Sequence, residues 1–429
     1  MVEEKWDAII VGAGVAGSVA ALLLARANAR VLLVERGHQA GSKNMSGGRV
    51  YTHGLKRIFP HFSEMLPVER RVAHEKISLL TPDRMTTFDY RSTQPETDNA
   101  SYTVLRASFD HALAKEAESA GATVLTGARV DDVLTREGKV SGISIEGETL
   151  LSDVVILADG VNSLLGERLK MTQKLTPQKT ALGVKTVIEL PQNLIEERFQ
   201  LSDNEGCAWL FAGAVTSGLV GGGFLYTNKA SLSLGVVCHL DQLNEHNQSV
   251  PEMLDAFSRH ALIAPLIRGG RVGEYSAHLV SESGIHGVAS KLFDDGVLII
   301  GDAAGFCLNL GYTVRGMDLA IASAEMAAQT VLSAKARQDF SAHALSSYRT
   351  LIGESFVGKD MTTYRRCPAL LKTPRFFKDY PELAANLLED IFTVKSQPVE
   401  PLLKRGIRHC ESIGLATLAK DIIKAARSF

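Results

Sequence analysis

Residues 7–17 read DAIIVGAGVAG, a short apolar run that leads into a glycine loop. The apolar run at 8–11 predicts a buried strand, the Ala- and Leu-rich segment 15–26 predicts a helix, and 30–35 predicts a second strand. The loop fits G-x-G-x-x-G and stands between strand and helix, where a dinucleotide pyrophosphate is bound. This stretch therefore predicts the first strand–helix–strand unit of an α/β nucleotide-binding fold.

The three glycines of the loop have different predicted roles. Gly12 permits the tight turn, Gly14 lets the backbone approach a pyrophosphate, and Gly17 lets the helix pack close to the strand. Glu35 ends the second strand, where a carboxylate bonds an adenosine ribose hydroxyl and disfavours a 2′-phosphate, so NADP is not expected here. A P-loop is excluded because Ser18 stands where that motif needs a lysine.

A second glycine-bearing segment far downstream favours FAD over NAD. Gly301-Asp302 follows an apolar run at 296–300 that predicts a buried strand, and it precedes a predicted helix at 316–332. One cofactor that touches both ends of the chain must be extended, and FAD is the longer of the two. Asp302 is predicted to bond the ribityl or pyrophosphate region. The helix after Gly311-Tyr312-Thr313 is predicted to aim N–H groups at the flavin edge that becomes negative on reduction.

The middle of the chain has a different pattern. Short apolar runs at 181–190, 223–227 and 232–239 are separated by turns, which is typical of an antiparallel sheet. The predicted fold class is α/β, with an FAD-binding Rossmann-like domain of the glutathione-reductase type, an inserted antiparallel β-sheet domain for a substrate or partner, and a helical C-terminal region. The predicted boundaries are 1–72, 100–175 and 285–335 for the FAD-binding domain, 73–99 and 176–284 for the sheet domain, and 336–429 for the helical region.

Composition excludes several classes of function. The formal net charge of −2 argues against nucleic acid as a partner. The N-terminal residues lack the features of a signal peptide, and no apolar stretch reaches the ~20 residues that span a bilayer. The five cysteines are widely separated and form no C-x-x-C motif, so no metal site is expected and reduced thiols are predicted. The expected location is the cytoplasm, with peripheral contact at the inner face of the membrane left open.

Longer motifs make the sequence resemble a known family. The glycine loop, Leu157-Ala158-Asp159-Gly160 and Gly301-Asp302-Ala303-Ala304-Gly305 occur in the order seen in group A flavoprotein monooxygenases and geranylgeranyl reductases. More closely, the chain resembles the FixC-like flavoproteins, which are related to electron transfer flavoprotein–quinone oxidoreductase. The segments that carry this resemblance are 7–37, 43–49, 199–201, 221–227 and 309–318.

The resemblance implies an FAD-dependent oxidoreductase that acts in electron transport. It implies a two-subunit electron transfer flavoprotein as donor, and a small ferredoxin-like iron–sulfur protein or a quinone as acceptor. The related quinone oxidoreductase of eukaryotes has a C-terminal four-cysteine iron–sulfur region, but here Cys367 and Cys410 stand alone in the C-terminal third. Two thiols cannot hold a four-iron cluster, so a separate protein is expected to supply it.

The glycine motifs and the family pattern together predict the contacts to FAD. Lys43 is expected to compensate the charge of reduced flavin, and Asp159 and Gly160 to close the cradle. No catalytic acid or base is predicted. The predicted FAD-binding residues are Val11, Gly12, Ala13, Gly14, Ala16, Gly17, Glu35, Arg36, Lys43, Ser46, Gly47, Gly48, Arg106, Val130, Ala158, Asp159, Gly160, Gly301, Asp302, Ala303, Gly311, Tyr312 and Thr313.

Alternatives remain open from the sequence. The chain is also compatible with an FAD-dependent reductase or monooxygenase that acts on an apolar small molecule, in the manner of geranylgeranyl reductase, or with an accessory protein that binds FAD only for structure. Lys43 and Arg315 are equally well explained as solvated charges, and Arg106 as a salt-bridge partner. The basic C-terminal helix at 401–429 fits docking to a partner, contact with a membrane, or packing on the body of the protein.

Overall fold

The structure, a computed structural model, describes residues 5–44, 47–92, 100–243 and 248–429. Ser46, one of the predicted FAD contacts, lies outside these residues. In chain order the strands are β1 (Lys5–Val11), β2 (Val31–Glu35), β3 (Gly48–Tyr51), β4 (Val68–Leu80), β5 (Met85–Arg91), β6 (Ser101–Val104), β7 (Thr123–Thr126), β8 (Asp132–Arg136), β9 (Lys139–Ile145), β10 (Glu148–Leu157), β11 (Thr180–Glu189), β12 (Glu205–Gly213), β13 (Gly221–Thr227), β14 (Ser231–His239), β15 (Arg271–Ser281), β16 (Phe293–Asp294), β17 (Val297–Ile299), β18 (Leu308–Asn309) and β19 (Val314–Arg315).

The α-helices pack around two sheets and make up most of the C-terminal region. In chain order they are α1 (Val15–Arg26), α2 (His53–Ile58), α3 (Phe62–Met65), α4 (Arg106–Ser119), α5 (Leu164–Arg168), α6 (Gln192–Phe199), α7 (Leu240–Leu243), α8 (Val250–Arg259), α9 (Ala264–Ile267), α10 (Met317–Arg337), α11 (Ala342–Leu345), α12 (Ser347–Glu354), α13 (Phe356–Thr363), α14 (Cys367–Leu371), α15 (Asp379–Phe392), α16 (Leu402–Glu411) and α17 (Leu415–Ala426).

The first sheet is built on β1, whose residues Ala8, Ile9 and Ile10 are fully buried. Its strand order is β16-β17-β10-β1-β2-β7, and the pairs from β17 to β7 are parallel. Continuous apolar strands of this kind are typical of a parallel sheet covered by helices on both faces. Helix α1 packs against α10 and α4 on this sheet. The predicted α/β fold class, with a parallel sheet of the Rossmann-like type, is therefore confirmed.

The strand register of this sheet brings distant parts of the chain together. Val11 of β1 pairs with Leu157 of β10, which pairs in turn with Ile299 of β17. Because the three strands are parallel, their carboxyl ends meet at one edge, which is where ligands bind in open α/β sheets. The glycine loop and Gly301-Asp302 both follow directly from that edge.

The second sheet has the order β15-β11-β14-β13-β12-β4-β6-β3, with β5 paired to β4. Its pairs within the described residues are antiparallel, apart from β4 with β12, which run parallel. Helix α8 covers one face of this sheet with Val250, Met253, Leu254 and Phe257, all of them buried. That face forms a separate apolar core.

The predicted domain boundaries stay a prediction. Two short strands, β3 and β6, pair in the second sheet although they lie in segments assigned from sequence to the FAD-binding domain. The C-terminal region is helical from α11 to α17, as predicted. Within the described part of the chain, no helix is both long and apolar enough to cross a bilayer.

Candidate functional site

A cavity of about 890 Å³ extends from the edge of the first sheet to the second sheet. This volume lies in the range of cavities that hold large organic ligands. One end is lined by the glycine loop, and the opposite wall is formed by β11, β13 and β15. The C-terminal residues Leu371, Phe376 and Phe377 line another side. The cavity is therefore built from all three parts of the fold.

The glycine loop forms a backbone cradle at one end. Gly12 has a φ of +103°, and a Cβ on Gly12 would come well under 3.0 Å from the carbonyl oxygen of Ala158. A Cβ on Gly17 would collide in the same way with the carbonyl oxygen of Gly12. At Gly14 the nearest atoms would be 3.9 Å away. Gly12 and Gly17 are thus required by packing, whereas Gly14 leaves open space on the cavity side, as the approach of a pyrophosphate needs.

Glu35 holds the loop in place. Its Oε2 accepts a hydrogen bond of 3.0 Å from the N–H of Ala13, and its Oε1 accepts one of 2.7 Å from the N–H of Gly37. The Glu35 side chain also lines the cavity. The carboxylate therefore supports the loop itself, a role that the sequence prediction of a ribose contact did not include.

Arg106 begins α4 and faces the cavity. Its Nε and Nη2 donate to the two carboxylate oxygens of Asp110 over 2.8 and 2.7 Å, and Asp110 is fully buried. Asn44 donates to the same carboxylate. The salt bridge left open from the sequence is thus present, and it holds a cation beside Gly14. The i,i+4 spacing of Arg106 and Asp110 on a helix was a signal that sequence reasoning did not use.

Two aspartates stand at the sheet edge with their carboxylates toward the cavity. Asp159 accepts a hydrogen bond of 3.3 Å from the N–H of Leu165 through Oδ2, while its buried Oδ1 has no partner in the described structure. Burial raises the pKa of Asp159. Asp302 lines the cavity, where desolvation raises its pKa, opposed by the positive charge of Arg106.

The sheet wall contributes a charged residue that sequence reasoning missed. Lys185, in the centre of β11, is 2% exposed and lines the cavity. Its ammonium donates to the carbonyl oxygen of Gly47 and lies 5.8 Å from the ring centre of Phe224. Desolvation lowers the pKa of Lys185 to about 7. A lysine in the middle of a mostly apolar strand was the available signal.

A second missed pair lies near the start of α10. The side-chain amide of Asn309 donates a hydrogen bond of 2.7 Å to Oε2 of Glu282. Burial raises the pKa of Glu282 to about 7. His278 of β15 also lines the cavity, and its pKa is lowered by desolvation. Glu282 and His278 are thus ionisable side chains on the cavity wall opposite the glycine loop.

Most of the predicted FAD contacts meet in this cavity. Tyr312 instead packs against Phe429, with ring centres 5.5 Å apart, and is 44% exposed. The predicted residues outside the lining are Ala13, Gly17, Gly301, Ala303, Tyr312 and Thr313. Those that line it are Val11, Gly12, Gly14, Ala16, Glu35, Arg36, Lys43, Gly47, Gly48, Arg106, Val130, Ala158, Asp159, Gly160, Asp302 and Gly311.

The residues present fit an extended dinucleotide. The open space at Gly14 and the guanidinium of Arg106 suit a pyrophosphate, and the unpaired Oδ1 of Asp159 suits a ligand donor. Gly301, with a φ of +59°, packs on Ala16 of α1, where a Cβ would come within 2.8 Å of the alanine Cβ. Among the described residues, no cluster of three His, Cys, Asp or Glu side chains has the geometry of a metal site.

Comparison with protein-family models gives three matches. Residues 7–160 and residues 101–330 match two models that are both described as FAD dependent oxidoreductase. Residues 367–429 match the ETF-QO/FixC family C-terminal domain. The third match covers the helices that line the side of the cavity at Leu371, Phe376 and Phe377.

Full-length relatives agree with these models. The chain is 52% identical to the protein FixC of Salmonella typhimurium over 425 residues, which cover 99% of both chains. It is 51% identical to YdiS of Escherichia coli, a probable electron transfer flavoprotein-quinone oxidoreductase, again over 99% of both chains.

Solved structures share the fold at low identity. A geranylgeranyl bacteriochlorophyll reductase-like protein from Thermoplasma acidophilum matches with a TM-score of 0.74 and 21% identity, covering 98% of this chain and 100% of the other. PqsL of Pseudomonas aeruginosa, a probable FAD-dependent monooxygenase, matches with a TM-score of 0.63 and 17% identity, covering 87% and 98%.

Proposed function

Since this chain belongs to the ETF-QO/FixC family of FAD-dependent oxidoreductases, we propose that it takes electrons from an electron transfer flavoprotein and passes them to a quinone. A small ferredoxin-like protein is the other acceptor that the family resemblance implies. The observation that carries the proposal is the full-length identity of 51% to a probable electron transfer flavoprotein-quinone oxidoreductase. The donor, the acceptor and the individual FAD contacts are parts of this proposal.

Bound FAD supplies a redox centre that accepts two electrons and releases them to an acceptor. The chain's own task is to hold and orient it. We propose that Gly14 and the start of α1 receive the pyrophosphate, and that Arg106, anchored by Asp110, neutralises its charge. Glu35 fixes the loop from behind through Ala13. Asp302 lies at the adjacent strand end, where the ribityl chain would pass.

The apolar part of the cavity supports a quinone as acceptor. Away from the glycine loop the lining includes side chains that offer no charge to a ligand, namely Ile77, Leu79, Leu210, Phe211, Leu371, Phe376 and Phe377. A quinone ring is planar and apolar, and it takes up two electrons and two protons to become a quinol. The same lining also suits an apolar small-molecule substrate, which is the second candidate function.

We propose further that the C-terminal helices place the protein against a membrane surface. Leu403 and Ile407 of α16 are 76% and 42% exposed and share a face with the basic residues Lys404 and Arg408. Both basic side chains form ion pairs with Glu400, over 2.9 and 2.5 Å. An amphipathic helix with this composition lies in the interface of an anionic bilayer, from which quinones are taken. Packing also holds the C-terminal region to the body, because Asp421 of α17 accepts hydrogen bonds from Arg375 over 2.7 and 2.8 Å.

The test is an anaerobic titration of the FAD-loaded protein with a reduced two-subunit electron transfer flavoprotein. We expect the flavin absorbance of this protein to bleach, and to return when a short-chain quinone is added in equimolar amount. If dithionite bleaches the flavin but the reduced donor does not, the donor assignment is wrong. If the bleached protein reoxidises only with oxygen and an apolar substrate, the second candidate function replaces the first.

Two controls show that bleaching requires the reduced donor and does not depend on the proposed membrane-binding helix. The same titration with the donor left oxidised must give no bleaching. The variant Leu403→Ser should be bleached by the donor at an unchanged rate in the absence of lipid, because α16 lies outside the lining of the FAD cavity.

A further inference from the structure

We propose that Lys185 is the cation that faces the isoalloxazine ring of bound FAD and stabilises the negative charge that the ring gains on reduction. The inference rests on the FAD cofactor of the family and not on the identity of donor or acceptor. Lys185 acts only through its charge in this role. The two electrons come from the reductant and the one proton comes from solvent, so the lysine transfers neither.

The order of groups along the cavity places the ring near the second sheet. The glycine loop and Arg106 form the pyrophosphate end, and Glu35 and Val130 line the adenosine side. The other half of an extended FAD would therefore be held by Asp302, Gly47, Gly48 and the sheet wall, which also line the cavity.

The strip formed by Gly47 and Gly48 lies between Lys185 and the start of α10. A Cβ on Gly48 would lie 3.1 Å from Cε of Met317, and a Cβ on Gly47 would lie 3.8 Å from Nζ of Lys185. Helix α10 has no side-chain cap at Gly316, so its first N–H groups are free of such a partner. A helix N-terminus and a buried ammonium thus flank the same strip, and both favour negative charge there.

The environment of Lys185 lacks a compensating anion. The ammonium donates to the carbonyl oxygen of Gly47, and no carboxylate of the described residues pairs with it. Gly235, the neighbour of Lys185 on β14, leaves room for the ring of Phe224, which lies beside the ammonium. A buried cation without a counter-charge is costly, and an anionic ligand in the cavity removes that cost.

The charged groups around Lys185 disfavour its protonated form, which a negatively charged ligand would stabilise. Arg106 repels the ammonium across the cavity, while Glu274 of β15 attracts it weakly. His278 on the same strand repels it when protonated. Burial and these charges lower the pKa of Lys185 to about 7, and a negative charge on the ring would restore the protonated form. Lys43, which the sequence suggested for this role, also lines the cavity but is exposed to solvent, whereas Lys185 is buried.

The experiment compares FAD reduction potentials of the wild-type protein and Lys185→Met, using dithionite and reference dyes under anaerobic conditions. We expect the ratio of the affinities for reduced and oxidised FAD to be about tenfold lower in the variant than in the wild type. For a two-electron couple this corresponds to a decrease of about 30 mV. A loss of more than threefold supports the proposal, whereas a smaller change or an increase overturns it. Lys185→Arg, which keeps the charge, should stay within threefold of the wild type.

Two further variants guard against indirect effects. Lys76→Met removes another lysine of the same sheet, whose ammonium lies 3.1 Å from Asp89, 4.8 Å above the ring of Trp209 and outside the cavity lining. The reduction potential of FAD bound to Lys76→Met should equal that of the wild type. A shift as large as that of Lys185→Met would overturn the assignment. If Lys185→Met does not fold, Lys185→Gln is titrated under the same criterion. Because no electron transfer flavoprotein is used, this result is independent of the donor assignment.

Discussion

The carboxylate of Glu35 accepts a hydrogen bond of 3.0 Å from the backbone N–H of Ala13, which ties the end of β2 to the glycine loop that follows β1. Glu35 is 9% exposed and also receives the N–H of Gly37. An acidic residue at this position is usually assigned to the ribose. Here the same carboxylate shapes the loop before any nucleotide binds, so the two roles can be separated by experiment.

We predict that Glu35→Ala weakens the protein both with and without FAD. Two buried N–H groups lose their acceptor, which costs about 1–3 kcal/mol for each unsatisfied group. The urea unfolding free energy of the flavin-free protein should fall by about 2–6 kcal/mol, the sum for the two groups. The FAD dissociation constant should rise at least tenfold. Glu148→Ala, at an exposed hairpin position, should change neither quantity. An unchanged stability combined with weaker FAD binding would assign Glu35 to the ribose alone.

The glycines of the loop should respond differently to the same added methyl group. In Gly17→Ala the Cβ collides with the carbonyl oxygen of Gly12, so α1 must move away from β1. We expect this variant to unfold at a clearly lower temperature, or not to fold. In Gly14→Ala the Cβ meets nothing nearer than 3.9 Å, and the φ of −75° suits alanine. The flavin-free variant should therefore be as stable as the wild type.

The functional half of this prediction concerns FAD. Alanine at Gly14 occupies the space through which the pyrophosphate approaches the backbone, so FAD affinity should fall at least tenfold in Gly14→Ala. Flavin fluorescence titration of the refolded protein measures this directly. Normal FAD affinity in Gly14→Ala would show that the cofactor does not approach the loop at this residue.

The local part of the fold was predictable because neighbouring residues determine it. Helix α1 has the predicted bounds, and β1 and β2 lie where their apolar runs placed them. The meeting of the glycine loop with Gly301-Asp302 was also predicted, because a long cofactor and a parallel sheet require it. In both cases a repeated pattern or a known strand–turn–helix unit carries the information.

The remaining features depend on contacts between distant segments. Lys185 reaches the carbonyl of Gly47, 138 residues away, and nothing in the strand sequence indicates that partner. The parallel pairing of β4 with β12 likewise joins segments that have no common motif. The carboxyl group of Glu282 is paired with Asn309 across a turn-rich region. Such groups can be found only after the tertiary structure places them on one cavity wall.

We predict that the exposed apolar side chains of α16 are needed for binding to anionic membranes. Leu403→Ser and Ile407→Ser together should reduce sedimentation of the protein with vesicles of anionic phospholipid at least threefold, because they remove the apolar contact while leaving Lys404 and Arg408. Phe88→Ser is the control, since Phe88 is 67% exposed but lies on β5. Equal binding by all variants would exclude α16 as the contact surface. Equal loss in the control would point to non-specific adsorption.

The pKa of Glu282 makes a prediction about stability and pH in the flavin-free protein. Burial raises this pKa from 4.5 to about 7, so between these values the folded protein holds a proton that the unfolded chain has released. Stability contributed by this group is therefore present below pH 4.5 and is lost as the pH rises toward 7. At about 1.4 kcal/mol per pKa unit, the loss reaches an upper limit of about 3.5 kcal/mol.

Glu282→Gln removes the ionisation while retaining an oxygen that accepts from Asn309. Relative to the wild type, its unfolding free energy should increase by less than about 1 kcal/mol at pH 5 and by about 2–3 kcal/mol at pH 8, as measured by urea unfolding. Glu148→Gln at an exposed position should show no such difference between the two pH values. If Glu282→Gln has the same effect at pH 5 and pH 8, the carboxyl group is already ionised in the folded protein at pH 5. It would then be a fixed negative charge on the cavity wall.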